Sequence, residues 1–143
     1  MLFGKRDRTI RRLLLVEDEP LVAFDNEHFL VEAGYTVVAT VDSVADAMAV
    51  LRREPVDLVL TDIKLSGGGN GLDVARAATT QGIPVLIVTG TPPLDVGDLA
   101  VACLAKPHSH RSLRAAIEAV EGRLQGAKRK RVPAGLTLYG ADA

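Results

Sequence analysis

The chain has 143 residues, 48% of them apolar and 24% charged, a size suited to one domain rather than a multidomain enzyme. Its apolar runs fall well short of the ~18 residues that a membrane helix requires. A formal net charge of -1 conceals segregation, because residues 1–12 carry five bases against Asp7, residues 122–143 carry five against Asp142, and the body between them is acidic.

In chain order, residues 1–11 form a basic N-terminal arm with no apolar segment long enough for a secretion signal before Glu17. Leu13 to Val16 then reads as a buried strand. Pro20 opens a helix that carries Leu21, Phe24, Phe29 and Leu30 and ends at Gly34. Val37 to Val41 is a second strand, and Ser43 caps a helix in which Val44, Ala47, Met48 and Leu51 recur at helical spacing. Leu58 to Leu60 is a third strand, and after a glycine-rich loop Leu72 to Thr80 is a third helix. Val85 to Val88 and Val101 to Ala105 are the fourth and fifth strands. Only Thr89 to Ala100 separates these two, with Pro92, Pro93 and Gly97 inside it, which predicts an irregular segment or about one helical turn. After Pro107, Ser109 caps a last helix with Leu113, Ala116, Ile117, Val120 and Leu124 on one face. Residues 126–143 are a basic C-terminal extension, within which Leu136, Leu138 and Tyr139 are able to dock on a neighbouring surface.

Strands that are apolar throughout suit a parallel sheet covered on both faces, so this strand-helix alternation predicts an open α/β sheet with right-handed crossovers. Ligand sites of such sheets lie beyond the carboxyl ends of the strands. There the first strand ends in Glu17 and Asp18, the third in Asp62, the fourth in Thr89, and the fifth in Lys106-Pro107. Three converging carboxylates require a counter-charge, and hard oxygen donors beside a lysine and a hydroxyl suit magnesium and a phosphoryl group.

Val16-Glu-Asp-Glu-Pro20, Leu60-Thr-Asp62-Ile-Lys-Leu, Thr89-Gly90 and Lys106-Pro107, in this order, resemble the receiver domain of two-component response regulators across residues 12–125. The resemblance implies a flavodoxin-like, doubly wound sheet of five parallel strands in the order 2-1-3-4-5, here with a shortened or irregular fourth helix. It implies Asp62 as phosphoacceptor and Mg2+ held by Glu17, Asp18, Asp62 and the carbonyl of Lys64. Thr89 would bond a phosphoryl oxygen, Lys106 would pair with the acyl phosphate, and Lys106-Pro107 would often be a cis peptide. Asp62 would take its phosphoryl group from the phosphohistidine of a sensor histidine kinase, and Mg-dependent self-phosphorylation and autodephosphorylation follow. The chain is similar to alphaproteobacterial stand-alone receivers, cytoplasmic and without an output enzyme. The expected roles are phosphate sink, relay to a histidine phosphotransfer protein, or switch that binds a target protein. The rival is a phosphorylation-independent pseudo-receiver that uses the basic ends to bind nucleic acid.

Departures from the family pattern are also legible. Cys103 stands three residues before Lys106, where the family usually has an aromatic, and Ser66 replaces a common proline. Gly67-Gly68-Gly69-Asn70-Gly71 lengthens the loop after Asp62, which is expected to be mobile. Signalling through that loop and the prolyl segment is the corresponding expectation. Other signals are weaker. The glycine cluster lacks a following Gly-Lys-Ser/Thr, Lys64 stands where an aspartyl-phosphate phosphatase needs a second acid, and His108 and His110 have no third ligand nearby. A single cysteine, Cys103, excludes an internal disulfide and reads as a small buried strand residue. The two basic ends should lie together, opposite the acidic rim, as solvated ends rather than a nucleic-acid site.

Overall fold

The computed structural model describes residues 8–126 and 132–140. Its elements run β1 Arg12–Val16, α1 Pro20–Glu32, β2 Thr36–Val41, α2 Val44–Arg53, β3 Leu58–Thr61, α3 Gly71–Thr80, β4 Val85–Thr89, β5 Ala102–Ala105, α4 His110–Leu124 and β6 Leu136–Leu138. The strands form one sheet ordered β2-β1-β3-β4-β5-β6, in which the first five are mutually parallel and β6 pairs antiparallel with β5. The expected five-strand order is therefore present, extended by a strand from the C-terminal segment. Among the described residues no helix is long and apolar enough to cross a membrane.

Helix boundaries follow local chemistry. Pro20 occupies the first turn of α1, where its missing N–H costs nothing, and the Ser43 and Ser109 hydroxyls accept from the backbone N–H groups of Asp46 and Ser112. Helix α3 starts in a capping box: the Asn70 side chain accepts from the Leu72 N–H at 2.8 Å, and Asp73 accepts from the Asn70 N–H at 2.9 Å. At the start of β1, the Asp57 carboxylate accepts from the N–H groups of both Arg11 and Arg12, which ties the strand to the turn before β3.

Successive strand residues serve opposite faces of the sheet. Leu13 and Leu15 of β1, with Leu58, Leu60, Leu86 and Leu104, pack under Leu30 of α1 and Leu113, Ile117 and Val120 of α4. Leu14 and Val16, with Val59, Ile87 and Cys103, pack under Val50 and Leu51 of α2 and Val74 and Ala78 of α3. Burying each of these large side chains contributes about 1.5–3 kcal/mol before chain entropy is counted.

Between β4 and β5 there is no helix among the described residues, in agreement with the irregular alternative. Adjacent prolines block a helix interior. Val96 and Leu99 fold back onto the second core layer in the place a helix would cover, while Leu94 is 98% exposed.

The N-terminal segment is anchored near the end of α4, where the buried Glu121 carboxylate accepts from the N–H groups of Thr9 and Ile10 at 2.5 and 2.8 Å. Arg8 donates to the Ala33 carbonyl and covers the Tyr35 ring, and Arg12 pairs with Glu54. The start of β1 and the end of α4 are thus neighbours, as expected. Lys5, Arg6 and the Lys128–Arg131 charge run lie outside the described residues, so the joint basic patch is not described.

Candidate functional site

At the carboxyl ends of the parallel strands, β1 runs directly into Glu17 and Asp18, β3 into Asp62, and β5 into Lys106. The Lys106 ammonium bonds Glu17 Oε1 and Asp62 Oδ2, each at 2.8 Å. These side chains are 19%, 7% and 12% exposed, so the three charges are largely desolvated. Burial alone would depress the Lys106 pKa, but its hydrogen bonds to Asp62 and Glu17 and their charges outweigh that effect and hold it above its ordinary value.

Backbone groups fix the Asp62 carboxylate. Asp62 Oδ1 accepts from the Ile63 N–H at 2.6 Å, the Asp62 N–H donates to the Val16 carbonyl, and the Thr61 hydroxyl donates to the Asp62 carbonyl. Glu17 Oε2 accepts from the Glu19 N–H at 3.2 Å. Asp18 does not share the Lys106 ammonium; its Oδ2 accepts from the Ser66 hydroxyl at 3.1 Å.

Thr89 is buried at the end of β4, and its carbonyl accepts from the Lys106 N–H at 2.9 Å. Its hydroxyl accepts from the Thr91 N–H at 3.4 Å. The structure therefore brings Glu17, Asp62 and Lys106 into direct contact, and sets Asp18 and Thr89 beside them without bonding either to Asp62. Lys64 lies two residues beyond Asp62 with its side chain exposed. The Lys106-Pro107 peptide is cis.

Three features were not read from the sequence. The Ser66 bond to Asp18 ties down one end of the glycine-rich loop, and the Asn70–Asp73 cap ties down the other. Gly71 packs against the acceptor strand so closely that a Cβ there would lie 1.8 Å from the Asp62 carbonyl oxygen. His110 is more than a surface residue, because it stacks on Phe29 and its Nε2 lies 2.7 Å from Asp25, joining α4 to α1. A groove of about 600 Å³ opens between these helices, lined by Leu21, Val22, Asp25, Lys106, Pro107 and His108 among others. The spacing of Ser66 from Asp18 gave no signal, but Asn70-Gly-Leu-Asp73 before an apolar helix was a readable cap.

A doubly wound sheet with paired acids, an aspartate and a lysine at its carboxyl rim defines a class of α/β domain with a charged strand-end site. The model of the response regulator receiver domain matches residues 13–118, and the chain belongs to that family. It is 34% identical over 137 residues to the alginate biosynthesis transcriptional regulatory protein AlgB of Pseudomonas putida, which covers 82% of this chain and 30% of AlgB. It is 31% identical over 121 residues to the transcriptional regulatory protein PdtaR of Mycobacterium tuberculosis, which covers 80% of this chain and 58% of PdtaR. The chain thus spans well under two thirds of either relative. Among solved structures, a response regulator receiver protein from Sinorhizobium medicae superposes with a TM-score of 0.69 at 29% identity, covering 80% of this chain and 96% of that one.

Proposed function

We propose that this receiver domain accepts a phosphoryl group on Asp62 from the phosphohistidine of a partner histidine kinase. The observation that carries this reading is the Lys106 ammonium held 2.8 Å from both Asp62 and Glu17 at the carboxyl rim of the sheet. A carboxylate oxygen of Asp62 attacks phosphorus, the new P–O bond forms as the P–N bond to imidazole breaks, and the imidazole leaves. The Ile63 N–H and the Lys106 ammonium hold one oxygen each of Asp62, which limits the rotation of its carboxylate before attack.

Glu17, Asp18, Asp62 and the Lys64 carbonyl would hold Mg2+. This donor set is all hard oxygen on a solvent-open rim. Among the described residues no three acidic, histidine or cysteine side chains are gathered to hold a metal ion: Lys106 stands between Glu17 and Asp62, and Asp18 is bonded to Ser66, so holding Mg2+ would require Asp18 to turn from Ser66 toward Asp62. When bound, the ion supplies neutralisation of charge on the transferring oxygens. Lys106 supplies a second positive charge at the acceptor, and the Thr89 hydroxyl, at the end of the neighbouring strand β4, would donate to the phosphoryl group once formed.

The groove beside Lys106 is lined by the exposed Leu21 of α1, one turn before the exposed Phe24, and is the surface proposed for the kinase helices that present the phosphohistidine. Incubation with acetyl phosphate and Mg2+ should label the protein by one phosphoryl group, read as a mass gain, and Asp62→Asn should remain unlabelled. Labelling that persists in Asp62→Asn, or its absence in the native chain, would exclude this reading. The lifetime of the label then separates a sink or relay, which discharges within seconds, from a stable target-binding switch.

A further inference from the structure

The connection between β4 and β5 leaves Thr89, has no helix, and is held near its middle by a residue from the far end of the chain. The Tyr139 hydroxyl donates to the Pro93 carbonyl at 2.8 Å, and the Cys103 thiol of β5 lies beside the same hydroxyl. The backbone of Tyr139 is fixed independently of its ring. Its N–H donates to the Val101 carbonyl at 2.9 Å, and its carbonyl accepts from Arg123 of α4 at 3.0 Å. Strand β6 also reaches the other end of β5, where the Ala105 N–H, one residue before Lys106, donates to the Gly135 carbonyl at 2.9 Å.

These contacts place one phenol between three parts of the fold: the segment after Thr89, the strand that runs into Lys106, and the C-terminal strand. Cys103 pairs in register with Ile87, two residues before Thr89. We infer that Tyr139 is a positioning residue for the phosphoryl site, and that through Pro93 and Cys103 it sets the placement of Thr89 and couples that placement to β6. This deepens the functional reading above, and only its last consequence, on phosphoryl lifetime, rests on that reading. A hydroxyl that stays protonated throughout the neutral range suits the part, since burial pushes the Tyr139 pKa up to about 12.

The test is Tyr139→Phe in the full chain, with Thr137→Val, at an exposed position on the same strand, as control. Loss of one neutral hydrogen bond predicts amide exchange about fivefold faster across residues 90–100, with β1 and β3 unchanged. The Thr89 methyl resonance should shift in Tyr139→Phe and stay in place in Thr137→Val. Both readouts use no phosphodonor, so they stand whether or not Asp62 is labelled. Unchanged exchange, or an unmoved Thr89 resonance, would overturn the inference. With acetyl phosphate and Mg2+, the phosphoryl lifetime on Asp62 should change by at least about threefold in Tyr139→Phe while the melting temperature moves little. An unchanged lifetime on a labelled protein overturns the coupling, whereas absence of label in the native chain overturns the functional reading and leaves the exchange and methyl results to decide the positioning role.

Discussion

At the scale of single residues, the acceptor rim is a problem of charge and of space. Lys106 is the cation that bonds both Glu17 and Asp62, so Lys106→Met leaves two largely desolvated carboxylates facing each other. Removing one partner of such a cluster costs about 3–5 kcal/mol when burial is complete and less on a rim still reached by water. We expect a lower urea midpoint in Lys106→Met at neutral pH, and a larger upward shift on adding millimolar Mg2+ than the native chain shows; equal shifts would mean that Lys106 is not the counter-charge. Space governs Gly71. Its N–H donates to the Ile63 carbonyl at 2.7 Å, and its Cα sits against the Asp62 backbone with no allowance for a side chain. Gly71→Ala must displace either the start of α3 or the strand end that carries Asp62. The expected result is a destabilisation of about 1–3 kcal/mol by urea titration, with slower labelling of whatever protein remains folded.

At the scale of elements, α1 presents more apolar surface than packing needs. Leu21, which lines the groove beside Lys106, is 84% exposed, and Phe24, one turn further along the helix, is 71% exposed. Phe24 stacks on His28 of its own helix and contributes to neither core layer. Phe24→Ala should therefore leave the melting temperature within about 2 °C, since exposed truncations cost little. It should slow phosphotransfer from a cognate kinase while labelling by acetyl phosphate proceeds unchanged. Equal slowing with both donors would place the defect at Asp62 rather than at a docking surface. The elements also show what the sequence could and could not disclose. All five parallel strands and all four helices were legible, because apolar runs, Pro20, Ser43 and Ser109 are local signals that the tertiary fold does not contradict. The empty fourth connection was legible as well, from Pro92 and Pro93. The docking of Leu136, Leu138 and Tyr139 was legible, but their pairing as strand β6 was not, since Leu136-Thr-Leu138 is too short to carry a period and its pairing is decided by the open edge of β5. Of the candidate site, the strand-end rule named Glu17, Asp62 and Lys106, which the fold brings into contact, but Ser66 and Gly71 act through contacts that only the folded chain creates.

At the scale of the whole molecule, β6 closes an edge and adds a titrating group to the core. Without it β5 would be an exposed edge strand beside the rim, with unpaired backbone groups open to pairing with another chain. Leu136, buried against the layer that holds Leu104 and α4, fastens it there. The same strand brings Tyr139 over Cys103. Burial raises the pKa of the Cys103 thiol, and it raises the Tyr139 phenol from 10.0 to about 12. Both groups are neutral when protonated, so at neutral pH neither makes stability depend on pH. As pH climbs past the ordinary values, the unfolded chain loses these protons first while the folded state retains them. Stability therefore falls progressively from about pH 9 to 12. A urea midpoint measured across that range should decline, and Tyr139→Phe, which carries no phenol at that position, should lose the part of the decline above pH 10 while keeping the part that Cys103 and the similarly raised Tyr35 produce. If Tyr139→Phe declined as steeply as the native chain above pH 10, β6 would not hold its phenol in the buried position that links the C-terminal segment to the Thr89 segment.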